Sequence, residues 1–326
     1  MFVMENKDFN LTIPTKISEK KIYDVYCNNY DSIHYLFIEF QFSWLQQAYK
    51  TLKDLDKYNI LIFLYKENFT QLNELFKVKS LNEFYINPRF NLDKINIIQL
   101  SQKLRLSKET TRRKIMELEE DGILIKNKKV ITVTLKAGLL QRPENTINSF
   151  SKILQYISWL LYKNKSVNKY YQKEFFVKKI KARFTQILAI FLEYQLEFLL
   201  ARKGVTNNDL EMFFIFGTLF YNQLMFLKKS EKKSHYQKEW VNEVLDIGNK
   251  QGINAMSISD LTGIPRPTVI RKLKILLKQK DIHKDKGSLY YILDGKLISQ
   301  LNKQRLINIK KLSSTISRIN NIIFFS

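Results

Sequence analysis

The chain has 326 residues, 45% of them hydrophobic, and a formal net charge of +23. That length and apolar share exclude a disordered chain and allow two domains or more, while nine glycines and five prolines are too few for a loop-rich or all-β protein. The charge, with a pI near 9.7, points to a polyanionic partner, nucleic acid ahead of an anionic membrane surface.

The first ten residues, MFVMENKDFN, lack the basic and then apolar run of a secretory leader. Residues 1–28 read as an arm or short helix. Over residues 30–50, Ile33, Leu36, Phe37, Phe40, Trp44 and Leu45 recur at helical spacing and predict a packing helix. Residues 56–68 predict a further helix, and residues 69–93, with the Asn87-Pro88 turn, an insertion.

Residues 100–134, LSQKLRLSKETTRRKIMELEEDGILIKNKKVITVT, predict helix, tight turn, helix and hairpin. Ser107 is suited to cap the second helix and Gly122 to close it. Residues 123–133 then make a basic hairpin with Lys126, Lys128 and Lys129 at its tip. Past a linker at residues 138–145, Ile147, Phe150, Ile153, Leu154, Ile157, Leu160 and Leu161 predict one amphipathic helix. The polar residues 163–173 mark the boundary between halves. Two apolar helices follow, at residues 184–200 and 207–227; the first apolar run is broken by Glu193 and Glu197 and is short for a membrane span. The run Lys228, Lys229, Lys232 and Lys233 reads as a solvated linker. Trp240, Val241, Val244 and Leu245 predict a helix that Gly252 ends.

Residues 258–292, ISDLTGIPRPTVIRKLKILLKQKDIHKDKGSLYYI, repeat the helix-turn-helix-hairpin pattern. Gly263 permits the sharp turn and Ile264 plugs it, while Pro265 and Pro267 suit the start of the next helix. Val269, Leu273, Leu276 and Leu277 form the inward stripe. When this stretch is slid onto the earlier one, Leu100 falls on Ile258, Leu106 on Ile264, Thr110 on Thr268, Arg113 on Arg271 and Lys114 on Lys272. Arg105 falls on Gly263, so the first copy needs a non-glycine turn residue. In the last segment, Ile309, Leu312, Ile316, Ile319 and Ile323 alternate by three and four, a seam that wants a partner helix.

Both stretches resemble the DNA-binding domains of bacterial winged-helix transcriptional regulators: residues 100–124 the MarR and GntR pattern, and LTGIPRPTVIRKL, residues 261–273, the IclR pattern. The resemblance implies that the start of each second helix reads the major groove and that the wings touch phosphate or the minor groove. Carried over by position, the DNA-binding set is Ser107, Lys108, Thr110, Arg112, Arg113 and Lys114, then Arg266, Thr268, Ile270, Arg271 and Lys272, with wing lysines Lys126, Lys128, Lys129, Lys284 and Lys286. Ile270 departs from the polar residue usual there, which leaves a thymine-methyl contact or inward packing. Arginine placement agrees, since Arg105, Arg112, Arg113, Arg266 and Arg271 cluster in these two stretches.

The expected fold is mainly α, two winged helix-turn-helix domains with small β-hairpin wings joined by long packing helices, a duplication that imitates a dimer. The divisions are residues 1–142 with the first winged helix at about 95–135, a central packing region at 143–230, the second winged helix at 231–296 and an amphipathic helix at 297–326. No catalytic constellation, phosphate loop or metal cluster is present in the sequence: His34, His235 and His283 stand apart, and a single cysteine, Cys27, allows no disulfide and suits a reducing cytoplasm. Glu117, Glu119, Glu120 and Asp121 read as a solvated helix end. The expectation is a non-enzymatic, cytoplasmic and nucleoid-associated regulator of transcription with double-stranded DNA as partner and no cofactor. Self-association through the central and C-terminal helices and a small-molecule effector stay open. A replication initiator with tandem winged helices, or a winged-helix interaction scaffold, is the alternative.

Overall fold

The computed structural model describes residues 16–93, 95–127, 130–140, 143–229, 237–248 and 251–325. In the first half the elements run α1 (Glu19–Asn28), α2 (Tyr30–Leu52), α3 (Leu55–Glu74), α4 (Leu81–Ile86), β1 (Phe90–Asp93), α5 (Ile97–Leu104), α6 (Lys108–Glu120), β2 (Leu124–Asn127), β3 (Val130–Val133), α7 (Leu135–Leu140) and α8 (Glu144–Lys163). The second half runs α9 (Lys173–Ala182), α10 (Phe184–Val205), α11 (Leu210–Lys229), α12 (Gln237–Gly248), α13 (Ala255–Thr262), α14 (Arg266–Lys278), β4 (Ile282–Lys284), β5 (Tyr290–Ile292) and α15 (Lys296–Phe325). The protein is mainly α, as its glycine and proline scarcity predicts.

One offset relates the two halves through their helix-turn-helix elements. It carries Asn96, the N-cap of α5, onto Asn254, the N-cap of α13, and it superposes the bounds of α5 on α13 and of α6 on α14. A slightly different offset carries α1 onto α9 residue for residue, and Gln41 of α2 onto Gln195 of α10. Packing follows the same correspondence. Helix α8 lies against α2 and α9, and α15 against α10 and α1, so each trailing helix bridges the two halves.

The centre is an aromatic core where α2, α8 and α10 meet. Phe40 and Phe150 stand 5.8 Å and 5.0 Å from Phe191, ring centre to ring centre, in the tilted and edge-on contacts that aromatic quadrupoles favour. Across it Gln41 Nε2 donates to Gln195 Oε1 at 3.0 Å and Gln195 Nε2 donates back to Gln41 Oε1 at 2.9 Å. Both amides are buried, and the reciprocal bonds offset their desolvation.

The leading stretch holds a short helix, α1, capped by Ser18, one of the two readings given for it. Several expectations change. The region read as an insertion contributes β1, which joins a three-stranded sheet of order β1-β3-β2. Residues 138–140, read as linker, end helix α7. Gly252 lies outside helix, the described part of α12 running to Gly248, and a Cβ at 252 would come within 2.5 Å of the Tyr291 ring, so glycine there admits the β4-β5 hairpin. The seam of Ile309, Leu312, Ile316, Ile319 and Ile323 is buried against α1 and α10 of the same chain, so its partner helices are internal. Helices α10 and α11 are long and apolar enough to cross a membrane by length and composition, α10 extending further than the apolar run suggests. Both are largely buried in the bundle, and Glu193 and Glu197 pair with Arg318 at 2.9 Å and Lys311 at 2.6 Å on α15.

Candidate nucleic-acid interface

The first helix-turn-helix is set by its backbone. The Asn96 side chain accepts from the Gln99 amide and the Gln99 side chain accepts from the Asn96 amide, a reciprocal cap that starts α5. The turn is made by Arg105 in the left-handed region, φ 51°, where glycine is the ordinary choice. Its guanidinium reaches the Leu200 carbonyl at 3.4 Å. Ser107 then caps α6, accepting from the Thr110 amide at 3.0 Å and donating to the Thr110 hydroxyl at 2.9 Å. The inward stripe of Thr111, Ile115 and Leu118 is buried. Lys108, Arg112 and Arg113 are exposed to solvent, and Arg113 reaches one turn on along the helix to Glu117 at 4.0 Å.

The wing is a sheet in which Leu92 opposes Ile131 and Lys126 opposes Ile131 from the other edge. Lys126 is exposed, its amide held by the Glu119 carboxylate at 2.7 Å. Lys128 and Lys129, the expected wing tip, lie outside the described residues. Alternation of Phe90 and Leu92 with Asn91 and Asp93 is the period-2 signal that could have revealed β1.

Helices α13 and α14 and the β4-β5 hairpin are built alike. Asn254 caps α13, Gly263 turns it at φ 73°, and Ile264 is buried in the turn. Pro265 and Pro267 flank the first residue of α14, with Arg266 and Arg271 exposed and Thr268 and Ile270 half-buried. Ile270 therefore packs partly inward. Strands β4 and β5 pair, and Ile253 bridges Tyr290 by backbone bonds of 3.2 Å and 2.9 Å, where β1 stands in the first sheet. At the tip, Asp285 accepts from the Leu289 amide and from the Tyr291 hydroxyl, both at 2.8 Å. These bonds, the amide first, pull the Asp285 carboxyl below its usual range. Lys286 projects beside it, and Lys284 lies 5.7 Å from the Tyr290 ring centre.

Two expected DNA contacts turn inward. Lys114 is largely buried and pairs with Asp54 at 2.6 Å and Glu117 at 3.0 Å. Burial works to lower its pKa, but the hydrogen bonds to these two carboxylates outweigh it and hold the ammonium above its ordinary value. Lys272 is buried and pairs with Asp209 and with Glu211 at 3.3 Å. Burial pushes the Glu211 carboxyl up, against the pull of Lys272. Neither lysine presents its charge outward. Each ties its own helix, α6 or α14, to the start of the helix beneath it, since Asp54 caps α3 and Asp209 receives the Met212 amide at the start of α11. The acidic stretch of α6 is likewise no mere solvated end: Lys57 bonds Asp121 at 2.9 Å and approaches Glu117 at 3.7 Å. Of the expected contacts on the two helices, the arrangement leaves the cations Lys108, Arg112, Arg113, Arg266 and Arg271 exposed, side chains suited to base edges and phosphates.

Among the described residues no group of three His, Cys, Asp or Glu side chains is placed to hold a metal ion. His34 is buried and bonds the Tyr26 hydroxyl at 2.9 Å, while His283 is exposed on β4.

The DeoR-like helix-turn-helix domain family matches residues 91–129, a span from β1 through α5, α6 and β2. No curated protein and no solved structure matches the chain. The match supports a winged helix-turn-helix DNA-binding domain in the first half, as in a DNA-binding regulator of transcription. It stops short of the second half, and the MarR, GntR and IclR likenesses stay at the level of residue pattern.

Proposed function

We propose that the chain is a sequence-specific, double-stranded-DNA-binding transcriptional regulator that carries two winged helix-turn-helix units, the halves standing to each other as the subunits of a dimer would. One observation carries the reading. Cap, left-handed turn, outward arginine and inward lysine recur at a single offset: Asn96 with Asn254, Arg105 with Gly263, Arg113 with Arg271, Lys114 with Lys272. A fold element that was only scaffolding would have no use for the outward arginines. Lys108, Thr110, Arg112 and Arg113 on one side, and Arg266, Thr268 and Arg271 on the other, supply the base-reading positions; Lys126, Lys284 and Lys286 supply salt-dependent contact to phosphate. Because Lys108-Glu109-Thr110 stands where the second unit has Arg266-Pro267-Thr268, the preferred site is asymmetric, not a perfect palindrome.

The test is selection of bound fragments from random genomic DNA at two salt concentrations, with wild type, Arg113→Ala and Arg271→Ala. The expected result is salt-steep binding in which each substitution relaxes a different half of the enriched motif. Binding untouched by both substitutions, or one chain covering two identical inverted half-sites, would overturn the reading.

A further inference from the structure

Between α2, α10, α11 and α15 lies a cavity of about 100 Å³, walled by aromatic side chains including Phe37, Phe198, Phe213 and Phe216. Two arginines, Arg202 from α10 and Arg305 from α15, line it with only 8% and 7% of their surfaces exposed. Arginine stays charged in a protein interior, and a buried guanidinium is ordinarily matched by a carboxylate. Neither has one. Among the described residues Arg202 donates only to the neutral Gln304 at 3.1 Å and sits 4.7 Å from the Phe198 ring centre; Arg305 donates to neutral Asn302 and lies 5.9 Å from the Tyr30 ring centre. Burial first, and then the like charge of Arg305, depress Arg202 to about 10. Beside Arg202 the Tyr194 hydroxyl is buried with no hydrogen-bond partner among the described residues.

The α11 wall is opened by Gly217, where a Cβ would meet nothing within 4 Å. A glycine in mid-helix costs about 1 kcal/mol relative to alanine, and here it keeps space free. Two buried cations with no carboxylate partner among the described residues, in a mostly aromatic and aliphatic chamber whose other polar liners, His34 and Gln41, are already bonded to Tyr26 and Gln195, describe the complement of a ligand with one negative group and a small apolar body. The volume is of the order that accepts a single aromatic ring.

We propose that this cavity is a binding site for a small monocarboxylate with an apolar body of about one ring, its carboxylate held by Arg202 and Arg305. The site stands independently of the DNA-binding reading.

The test is calorimetric titration of the full chain with benzoate, phenylacetate and hexanoate, set against benzyl alcohol and benzylamine. The expected result is binding of at least one carboxylate at least about tenfold tighter than the alcohol, as charge-assisted hydrogen bonds imply, and no binding of the amine. Gly217→Leu, which fills the chamber without touching the cations, is expected to abolish binding while thermal stability is kept or raised; Arg202→Met with Arg305→Met is expected to abolish it through the charges. The proposal is overturned by failure of all three carboxylates to bind, by equal affinity for the alcohol, or by binding that survives Gly217→Leu. The wild-type comparison decides the matter even where the double arginine variant does not fold.

Discussion

Gln41 and Gln195 face each other across the centre of the molecule and exchange two hydrogen bonds, at 3.0 Å and 2.9 Å. Each amide is satisfied by the other, so the pair behaves as a unit. Gln195→Leu strands the Gln41 amide in the core, and a loss of about 1–3 kcal/mol is expected, the cost of an unsatisfied buried polar group. Gln41→Leu with Gln195→Leu should recover most of it, because both partners are then apolar. Denaturant unfolding of the two single variants and the double variant measures the coupling; additive losses would mean that the bonds are not reciprocal in solution.

The inward lysines separate stability from binding. Lys272→Met removes the cation between Asp209 and Glu211 and should cost roughly 2 kcal/mol or more, below the 3–5 kcal/mol of a fully buried pair because both carboxylates keep some solvent contact. Lys108→Ala, on the exposed face, should leave stability within about 0.5 kcal/mol. Thermal melts distinguish the two, and an unchanged midpoint for Lys272→Met would contradict the anchoring role.

His34 sets a pH dependence. Burial first, and then the nearby charges of Arg305 and Arg202, hold its pKa well below 6.5, so the folded state keeps the ring neutral while the unfolded chain takes up a proton. Its contribution is therefore complete above pH 6.5 and is lost as pH falls below that value, at up to about 1.4 kcal/mol per pH unit for one proton. His34→Gln should flatten the stability profile between pH 6.5 and 5, as followed by urea unfolding; an equally steep profile in the variant would assign the slope elsewhere.

Gly263 and Arg105 make the same left-handed turn, but only one of them makes it without strain. Gly263→Ala is expected to lose about 1–2 kcal/mol, and this is a backbone effect, since the new Cβ would meet Tyr49 at an ordinary 3.8 Å. Arg105→Gly should relieve comparable strain in the first copy, less the 3.4 Å bond to Leu200. Opposite signs in their melting shifts are the outcome to look for.

On DNA, Lys126→Ala with Lys284→Ala should lower the slope of log affinity against log salt by about 0.9 for each phosphate contact removed, without altering the selected sequence. A changed sequence preference would place these lysines at base edges.

The long helices are legible because their apolar stripes repeat at 3.6 residues, whereas α4, α7 and α9 are too short to show a stripe; the equivalence of Arg105 with Gly263 is readable from the offset alone. Lys114 and Lys272, expected at DNA, carry a signal for the inward role: each falls three residues after an inward position, Thr111 or Val269, and four before another, Leu118 or Leu276. A basic residue on that stripe has to meet a carboxylate. Strand β1 carries its period-2 signal over only four residues, too short a run to stand out beside the Asn87-Pro88 turn, and Arg202 and Arg305 carry no local signal because only the packing of α10 on α15 brings together residues a hundred positions apart. No local pattern encodes that meeting.

The crossing of α8 onto α9 and of α15 back onto α1 bears on dilution. A two-headed regulator assembled from separate chains comes apart below its dissociation constant, and its occupancy of DNA then rises with the square of protein concentration. Halves joined within one chain meet at an effective concentration that dilution cannot reduce. For a regulator of the proposed kind, occupancy would rise with the first power of copy number, and even a few molecules per cell would keep both heads.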